Sequence, residues 1–243
     1  MMKSVFFKIK SNIKIAKNTF EMRLLGDTGD IYAGQFVNIK LSGFYLRRPI
    51  SVCDVDGEEL TLIYKVVGEG TELMSSMQEG EELDVLTGLG NGYNLDNCGD
   101  APLLIGGGAG VPPMYYLAKM LAAQGKKIGV ILGFGTEEEI FYKEEFEALG
   151  ARVEVTTADG SYGIRGFVTD AMDEFDYTYF YTCGPEPMLR AVYDKSTTSG
   201  EFSFEERMGC GFGACMGCSC ETKYGNKRIC RDGPVLVKEE IIW

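Results

Sequence analysis

Residues 101–124 read APLLIGGGAGVPPMYYLAKMLAAQ. A compact apolar run at 101–105 meets a glycine cluster containing Gly106, Gly107, Gly108 and Gly110, and residues 114–124 then repeat apolar positions at helical spacing. Pro112 and Pro113 fit the first turn of that helix, where backbone N–H groups have no partner to lose. A strand that turns on glycine into a helix is the opening unit of a parallel sheet. Downstream, 127–134 reads as a second buried strand, 143–149 as a helix and 152–156 as a third strand. A short helix at 167–173 and a strand at 177–182 follow. This alternation predicts an α/β unit with a doubly wound parallel sheet.

Upstream the pattern differs. Residues 36–41, 60–67 and 82–87 are short strand-like runs separated by Gly-Asp, Asp-Gly and Glu-Gly turn signals. They predict an all-β unit, an antiparallel barrel of about 90–100 residues. Beyond residue 200 no periodic pattern supports a separate core, yet five of the eight cysteines fall there. Three domains are therefore expected, at 1–97, 98–199 and 200–243, and something other than a hydrophobic core must hold the third together.

Composition excludes several chemistries. The 243 residues contain no histidine, which removes Ser-His and Cys-His hydrolases and any His-ligated metal. No catalytic acid–base residue is assigned; bound cofactors can carry electron or hydride transfer without one. A formal charge of −12 disfavours nucleic acid and anionic membranes, and most simply keeps the protein soluble. Residues 1–10 lack the apolar core of a signal peptide, and no stretch is long enough to span a bilayer. A cytoplasmic location is expected, where thiolate ligands are favoured over disulfides.

Cys210, Cys215, Cys218 and Cys230 are spaced C-x4-C-x2-C-x11-C, the plant-type ferredoxin arrangement for a [2Fe–2S] cluster. Gly209, Gly211, Gly213, Ala214 and Gly217 let the chain wrap tightly and aim amides at sulfur. A four-cysteine zinc site is the alternative, although C-x4-C and so many small residues suit it poorly. Cys220 reads as a packed bystander.

Two nucleotide sites are expected. Residues 106–110 lie in the strand-to-helix turn where parallel sheets bind phosphate, which makes Gly107, Gly108 and Gly110 candidates; a plain tight turn is the blander reading. Cys183 opens a second turn, CGPEPM at 183–188, on the same sheet edge. It is either a small buried residue or a neighbour of the nicotinamide. Glu137, Glu138 and Glu139 after the second strand would accept bonds from a ribose diol and repel a 2′-phosphate, favouring NADH; as helix-starting acids they need no such role. In the barrel, Arg47-Arg48-Pro49-Ile50-Ser51 offers a guanidinium for pyrophosphate and a hydroxyl for a flavin edge. Ile63-Tyr64-Lys65 and Gly70-Thr71 add an aromatic ring and backbone amides. Two solvated arginines are the plainer reading.

Barrel, sheet and cysteine loop in this order resemble the electron-transfer subunits of B-type dihydroorotate dehydrogenase, within the ferredoxin–NADP⁺ reductase superfamily. The resemblance spans essentially the whole chain. Its most specific parts are RRPIS at 47–51, residues 106–113 and 183–188, ERMGCGFGACMGC at 206–218 and CRDGPV at 230–235. It implies that Arg48 binds the FAD pyrophosphate and that Ser51 sits near flavin N5. Pro49, Ile50, Ile63, Tyr64, Lys65, Gly70 and Thr71 would line the rest, and the four cysteines would ligate the cluster. It further implies electron flow between NAD(H), FAD, the cluster and an FMN on a separate catalytic subunit acting in pyrimidine biosynthesis, in a heterotetramer of two copies of each. The flavin converts between two-electron and one-electron transfers. Two other readings stand beside it: a relative serving a hydrogenase, sulfide-using or transhydrogenating complex, and a non-catalytic metal-binding interaction module.

Overall fold

The computed structural model describes residues 2–243. Six strands come first: β1 (Lys3–Ala16), β2 (Thr19–Leu25), β3 (Phe36–Lys40), β4 (Arg48–Asp56), β5 (Glu59–Lys65) and, after helix α1 (Glu69–Ser76), β6 (Glu82–Leu89). They close into an antiparallel barrel in the order β1-β2-β5-β4-β3-β6. Alternation drives closure: along β6, Leu83, Val85, Thr87 and Leu89 are buried while the residues between them face outward. Phe7, Met22, Leu24, Val37, Ile39, Leu60 and Leu62 fill the interior. Each such fully buried side chain stabilises by about 1.5–3 kcal/mol.

The second unit runs β7 (Pro102–Gly107), α2 (Val111–Ala123), β8 (Gly129–Phe134), α3 (Lys143–Ala148), β9 (Arg152–Thr157), β10 (Ile164–Arg165), α4 (Val168–Ala171), β11 (Tyr179–Cys183), α5 (Glu186–Lys195) and β12 (Gly200–Ser203). Its parallel sheet is covered on both faces. Val111, Met114 and Leu117 of α2 share one core with Phe146 of α3. Val168 and Ala171 of α4 share the other with Leu189 and Val192 of α5. The helix expected from residue 114 begins at Val111, because both prolines lie in its first turn. Helix α5 has no counterpart in the sequence reading; Pro187 in its first turn looks like a break when tertiary contacts are unknown.

Beyond β12 come the hairpin β13 (Ser219–Thr222) and β14 (Gly225–Arg228), then β15 (Val235–Val237). The sheet order is β10-β9-β8-β7-β11-β12-β15. The stretch 200–243 thus begins and ends inside the sheet: β12 pairs in parallel with β11, and β15 antiparallel with β12. This supplies the anchorage that the segment's own sequence lacks. Asn91, in the connection from the barrel, adds a second tie through its side-chain bonds to Val235 O at 2.8 Å and from Val235 N at 3.1 Å.

Glu201 on β12 is 2% exposed. Its carboxylate accepts hydrogen bonds from Asn94 N at 3.0 Å and the Tyr179 hydroxyl at 3.2 Å. Burial pushes it up to about 7 despite those two donors, from an ordinary value of 4.5. A carboxyl raised in the folded state stabilises most below its unfolded value, and that contribution disappears as pH climbs through about 7. Glu201→Gln is therefore expected to flatten the loss of stability between pH 5 and 8, gaining up to about 3 kcal/mol over the native protein at pH 8. Chemical denaturation at the two pH values checks this; parallel curves for the two proteins would contradict it.

Candidate functional site

Three structural features adjoin one another. The first is the crevice at the carboxyl ends of β7 and β11, where the strand order reverses and where open α/β sheets take ligands. The turn 108–110 lies directly on the turn after β11. A Cβ added at Gly110 would stand 2.1 Å from Cys183 O and 2.6 Å from Gly184 N, and one at Gly107 would stand 2.3 Å from Met188 Sδ. Gly107, Gly108, Gly110 and Cys183 are thereby brought together, with bare backbone at the start of α2. Cys183 is 1% exposed, and burial followed by the Glu205 charge pushes its thiol up, with the Ser203 hydroxyl pulling back.

The second feature is a cleft of about 410 Å³ between barrel and sheet, lined by Arg48, Pro49, Ile50, Ser51, Ile63, Tyr64, Lys65 and Thr71. Gly70 joins them: a Cβ there would lie 2.1 Å from Arg48 Nε, so a side chain at this position would push the guanidinium out of its present place. That guanidinium also lies over the Phe44 ring at 4.5 Å. The paired arginines separate in role. Arg47 forms a fork on Asp84 at 3.0–3.1 Å, a barrel-wall ion pair, and Arg48 alone turns to the cleft. Tyr64 lines the cleft and is anchored in the barrel: it is 3% exposed, its ring stacks on Phe20 at 6.0 Å and its hydroxyl donates to Asn12 at 2.9 Å.

The opposite wall is Ser203, Phe204, Glu205, Glu206, Met208 and Pro234. Glu206, Met208 and Pro234 lie in the family-like runs 206–218 and 230–235, but the sequence reading gave none of the six a place in a site; the pairing of β12 and β15 beside β11 brings them to the barrel. The acidic loop after β8 is likewise rearranged relative to expectation. Glu138 pairs with Lys17 at 2.8 Å and Glu139 with Lys65 at 3.2 Å, and Glu137 is exposed without an ion-pair partner among the described residues.

The third feature is the cysteine loop, joined to the cleft through Met208 and Pro234. Cys215 neighbours Cys210 and Cys218 neighbours Cys230, with Cys210 also acting on Cys230, so the four sulfurs gather in one region. Four thiolates in this spacing suit the two metal atoms of a [2Fe–2S] group. Ala214 N and Cys215 N donate to Cys210 Sγ at 3.2 and 3.4 Å, and Cys230 N donates to Cys218 Sγ at 3.4 Å. Burial raises the Cys210 thiol, but amides of Phe212, Cys215 and Ala214 outweigh it and bring it to about 6, so this sulfur is readily a thiolate. Burial and the neighbouring Cys218 push Cys230 up to about 12; a positive metal ion would reverse that balance. The donor set and its amide bonds fit a [2Fe–2S] group. Gly211 presses the loop onto β3, where a Cβ would meet Asn38 Nδ2 at 2.3 Å. Cys220 lines a separate cavity with Phe204 and Trp243.

Known proteins share this arrangement. Residues 205–242 match the family model of the iron-sulfur cluster binding domain of dihydroorotate dehydrogenase B, and residues 104–194 that of the oxidoreductase NAD-binding domain. The dihydroorotate dehydrogenase B (NAD(+)) electron transfer subunit of Bacillus pumilus is 44% identical, covering 99% of this chain and 98% of its own length. The Fusobacterium nucleatum protein of the same name is 41% identical, covering 96% of each. Among solved structures, one of the NADH-dependent reduced ferredoxin-NADP oxidoreductase, described for flavin-based electron bifurcation, superposes with a TM-score of 0.89 at 31% identity. It covers 98% of this chain and 90% of that one. A ferredoxin NADP+ reductase from Neisseria gonorrhoeae shares the fold at 16% identity and a TM-score of 0.70, over 79% of this chain and 90% of that one. With full-length identity above 40%, a matching cluster segment and the expected barrel and sheet, the chain belongs to the family of dihydroorotate dehydrogenase B electron transfer subunits.

Proposed function

We propose that this chain carries electrons between NAD(H), a bound FAD and a [2Fe–2S] cluster, to or from an FMN-containing catalytic subunit that interconverts dihydroorotate and orotate. The single observation that carries this reading is continuity. The glycine crevice, the 410 Å³ cleft and the cysteine loop share walls through Ala109, Met208 and Pro234, which supports a continuous route from donor through converter to wire. When bound, the flavin supplies the step between hydride transfer and single-electron transfer.

The chain's own residues prepare that line. Arg48 offers a guanidinium at the pyrophosphate end, held by Phe44 and given room by Gly70. The first turn of α1, with Gly70 and Thr71, presents amides beside it. Ser51, Ile50 and Pro49 form the floor along β4, and Ile63, Tyr64 and Lys65 the side along β5. Gly107, Gly108, Gly110 and Cys183 shape the NAD(H) crevice, and Glu137 is the carboxylate free to favour NADH. Cys210, Cys215, Cys218 and Cys230 hold the cluster. Cys215 is exposed beside Phe212 and Met216, which supports an outlet to the partner at this surface. Functionally the chain divides at 97 and 199 into flavin, nucleotide and cluster modules, with β12 and β15 lent to the middle sheet. Two copies of each subunit would complete the enzyme, in the cytoplasm where its thiolates stay reduced.

The test is co-purification from the native host. An FMN-containing partner with dihydroorotate-dependent NAD⁺ reduction is expected; recovery of a different oxidoreductase partner overturns the assignment. The structural likeness to the bifurcating oxidoreductase supports a second reading, service to a transhydrogenating complex, and the same experiment separates the two. Independently, Arg48→Ala is expected to weaken FAD binding roughly 10- to 100-fold, the worth of a charge-assisted phosphate contact. Fluorescence titration of the flavin-stripped protein measures it, and an unchanged dissociation constant removes Arg48 from the site.

A further inference from the structure

Residues 135–142, which follow β8 at the nucleotide crevice, are fastened to the barrel at several points. Lys17 N donates to Glu138 O at 2.8 Å, and Lys65 of the cleft wall pairs with Glu139. The innermost tie is Tyr142. Its backbone is left-handed, φ +65° and ψ 10°, a conformation costly for a bulky side chain. Its hydroxyl donates to Glu21 Oε2 at 2.7 Å, with Tyr142 9% and Glu21 4% exposed. The other Glu21 oxygen accepts from Arg23 Nε at 2.7 Å, and the buried Cys53 thiol abuts the same hydroxyl. Tyr115 of α2 meets the Tyr142 ring edge-on at 4.9 Å. Burial and the Glu21 carboxylate hold the phenol protonated, so it remains a donor.

On the barrel side, Glu21 is the cross-strand partner of Ile63, a wall of the flavin cleft. A strained tyrosine on the nucleotide sheet therefore grips the strand pair that bounds the flavin. The neighbouring ties are exposed or half-exposed ion pairs, worth little in water. We infer that Tyr142 is a positioning residue: its hydrogen bond to Glu21 sets the spacing of nucleotide crevice and flavin cleft, and so the approach of nicotinamide to flavin. The inference rests on the NADH–FAD reading above. Hydride transfer falls steeply with small displacements, so the loss of one such bond shows in rate before it shows in binding.

The test compares native protein, Tyr142→Phe and Glu21→Gln, each loaded with FAD and cluster, in stopped-flow reduction by NADH. Native protein that is not reduced by NADH at all refutes the underlying functional reading rather than this one. Given reduction, Tyr142→Phe is expected to slow the step at saturating NADH about tenfold and to weaken the long-wavelength NADH–flavin charge-transfer band. FAD content and NADH affinity stay within about twofold. Glu21→Gln keeps one oxygen to accept the tyrosine bond; its NH2 then faces Arg23, a half-exposed side chain that can turn to Glu59 and solvent, so the variant is expected to remain within about twofold of native in rate. In flavin-free protein, amide exchange over 136–146 should quicken in Tyr142→Phe and not in Glu21→Gln. A native rate and band in Tyr142→Phe, an equal loss in both variants, or a rate loss that merely tracks lost FAD each overturns the positioning role.

Discussion

Cys218→Ser is expected to remove the cluster and cut the outward current at its last stage. Cys218 is 3% exposed, neighbours Cys230 and accepts an amide bond from it, so its sulfur faces inward. Cys220 lines the cavity with Phe204 and Trp243. Iron should fall from about two per chain to near zero, with loss of the visible cluster absorbance. The fold should survive, because β12 and β15 hold this segment to the sheet by backbone pairing that needs no metal. NADH-driven reduction of an acceptor that draws on the cluster should drop at least about a hundredfold, while acceptors reduced directly by flavin keep most of their rate. Cys220→Ala, the control, should leave iron content unchanged. A Cys218→Ser protein that still holds its iron would show that the ligand set is wrong.

Gly110→Ala is expected to be the most damaging single methyl group in the nucleotide crevice. The added carbon would lie 2.1 Å from Cys183 O and 2.3 Å from its carbonyl carbon, and both are backbone atoms fixed by β11. Neither side can yield without separating the two turns, and overpacking of this kind costs about 1–3 kcal/mol or more. NADH turnover should fall roughly a hundredfold in kcat/KM while FAD and iron remain bound. Gly107→Ala is the graded comparison. Its carbon would meet the tip of the Met188 side chain, which can swing aside, so a loss of about tenfold or less is expected. Steady-state kinetics with NADH and thermal melts check both; equal effects in the two variants would show that the contact of the two turns does not shape the site.

The features legible in the sequence are those whose physics is local. The strand, glycine turn and helix at 101–124 lie within a few residues of one another, and their pattern records their structure directly. The cysteine spacing is local in the same sense, since one loop supplies three of the four sulfurs. Arg48 and Gly70 were each legible as phosphate-site candidates, but their dependence on one another, a guanidinium lying where a side chain would otherwise be, is a contact between β4 and α1. Helix α5 was missed because proline near a helix start and proline that ends a helix look alike until neighbours are known.

The sequence by itself determined the three kinds of element, the order in which they come and the chemistry of the thiolate set. It also determined that no histidine-based mechanism is open to this chain. Only the tertiary structure decided that Ser203, Phe204, Glu205, Glu206 and Met208 wall the cleft and that Glu138 and Glu139 pair with lysines. It alone decided that the Tyr64 ring stacks on Phe20 and that Tyr142 grips Glu21 across the two units. The physical reason is distance along the chain. Backbone pairing of β12 with β15, and a bond between residues 121 positions apart, depend on which surfaces meet after collapse, and no periodicity or spacing within one segment encodes that meeting.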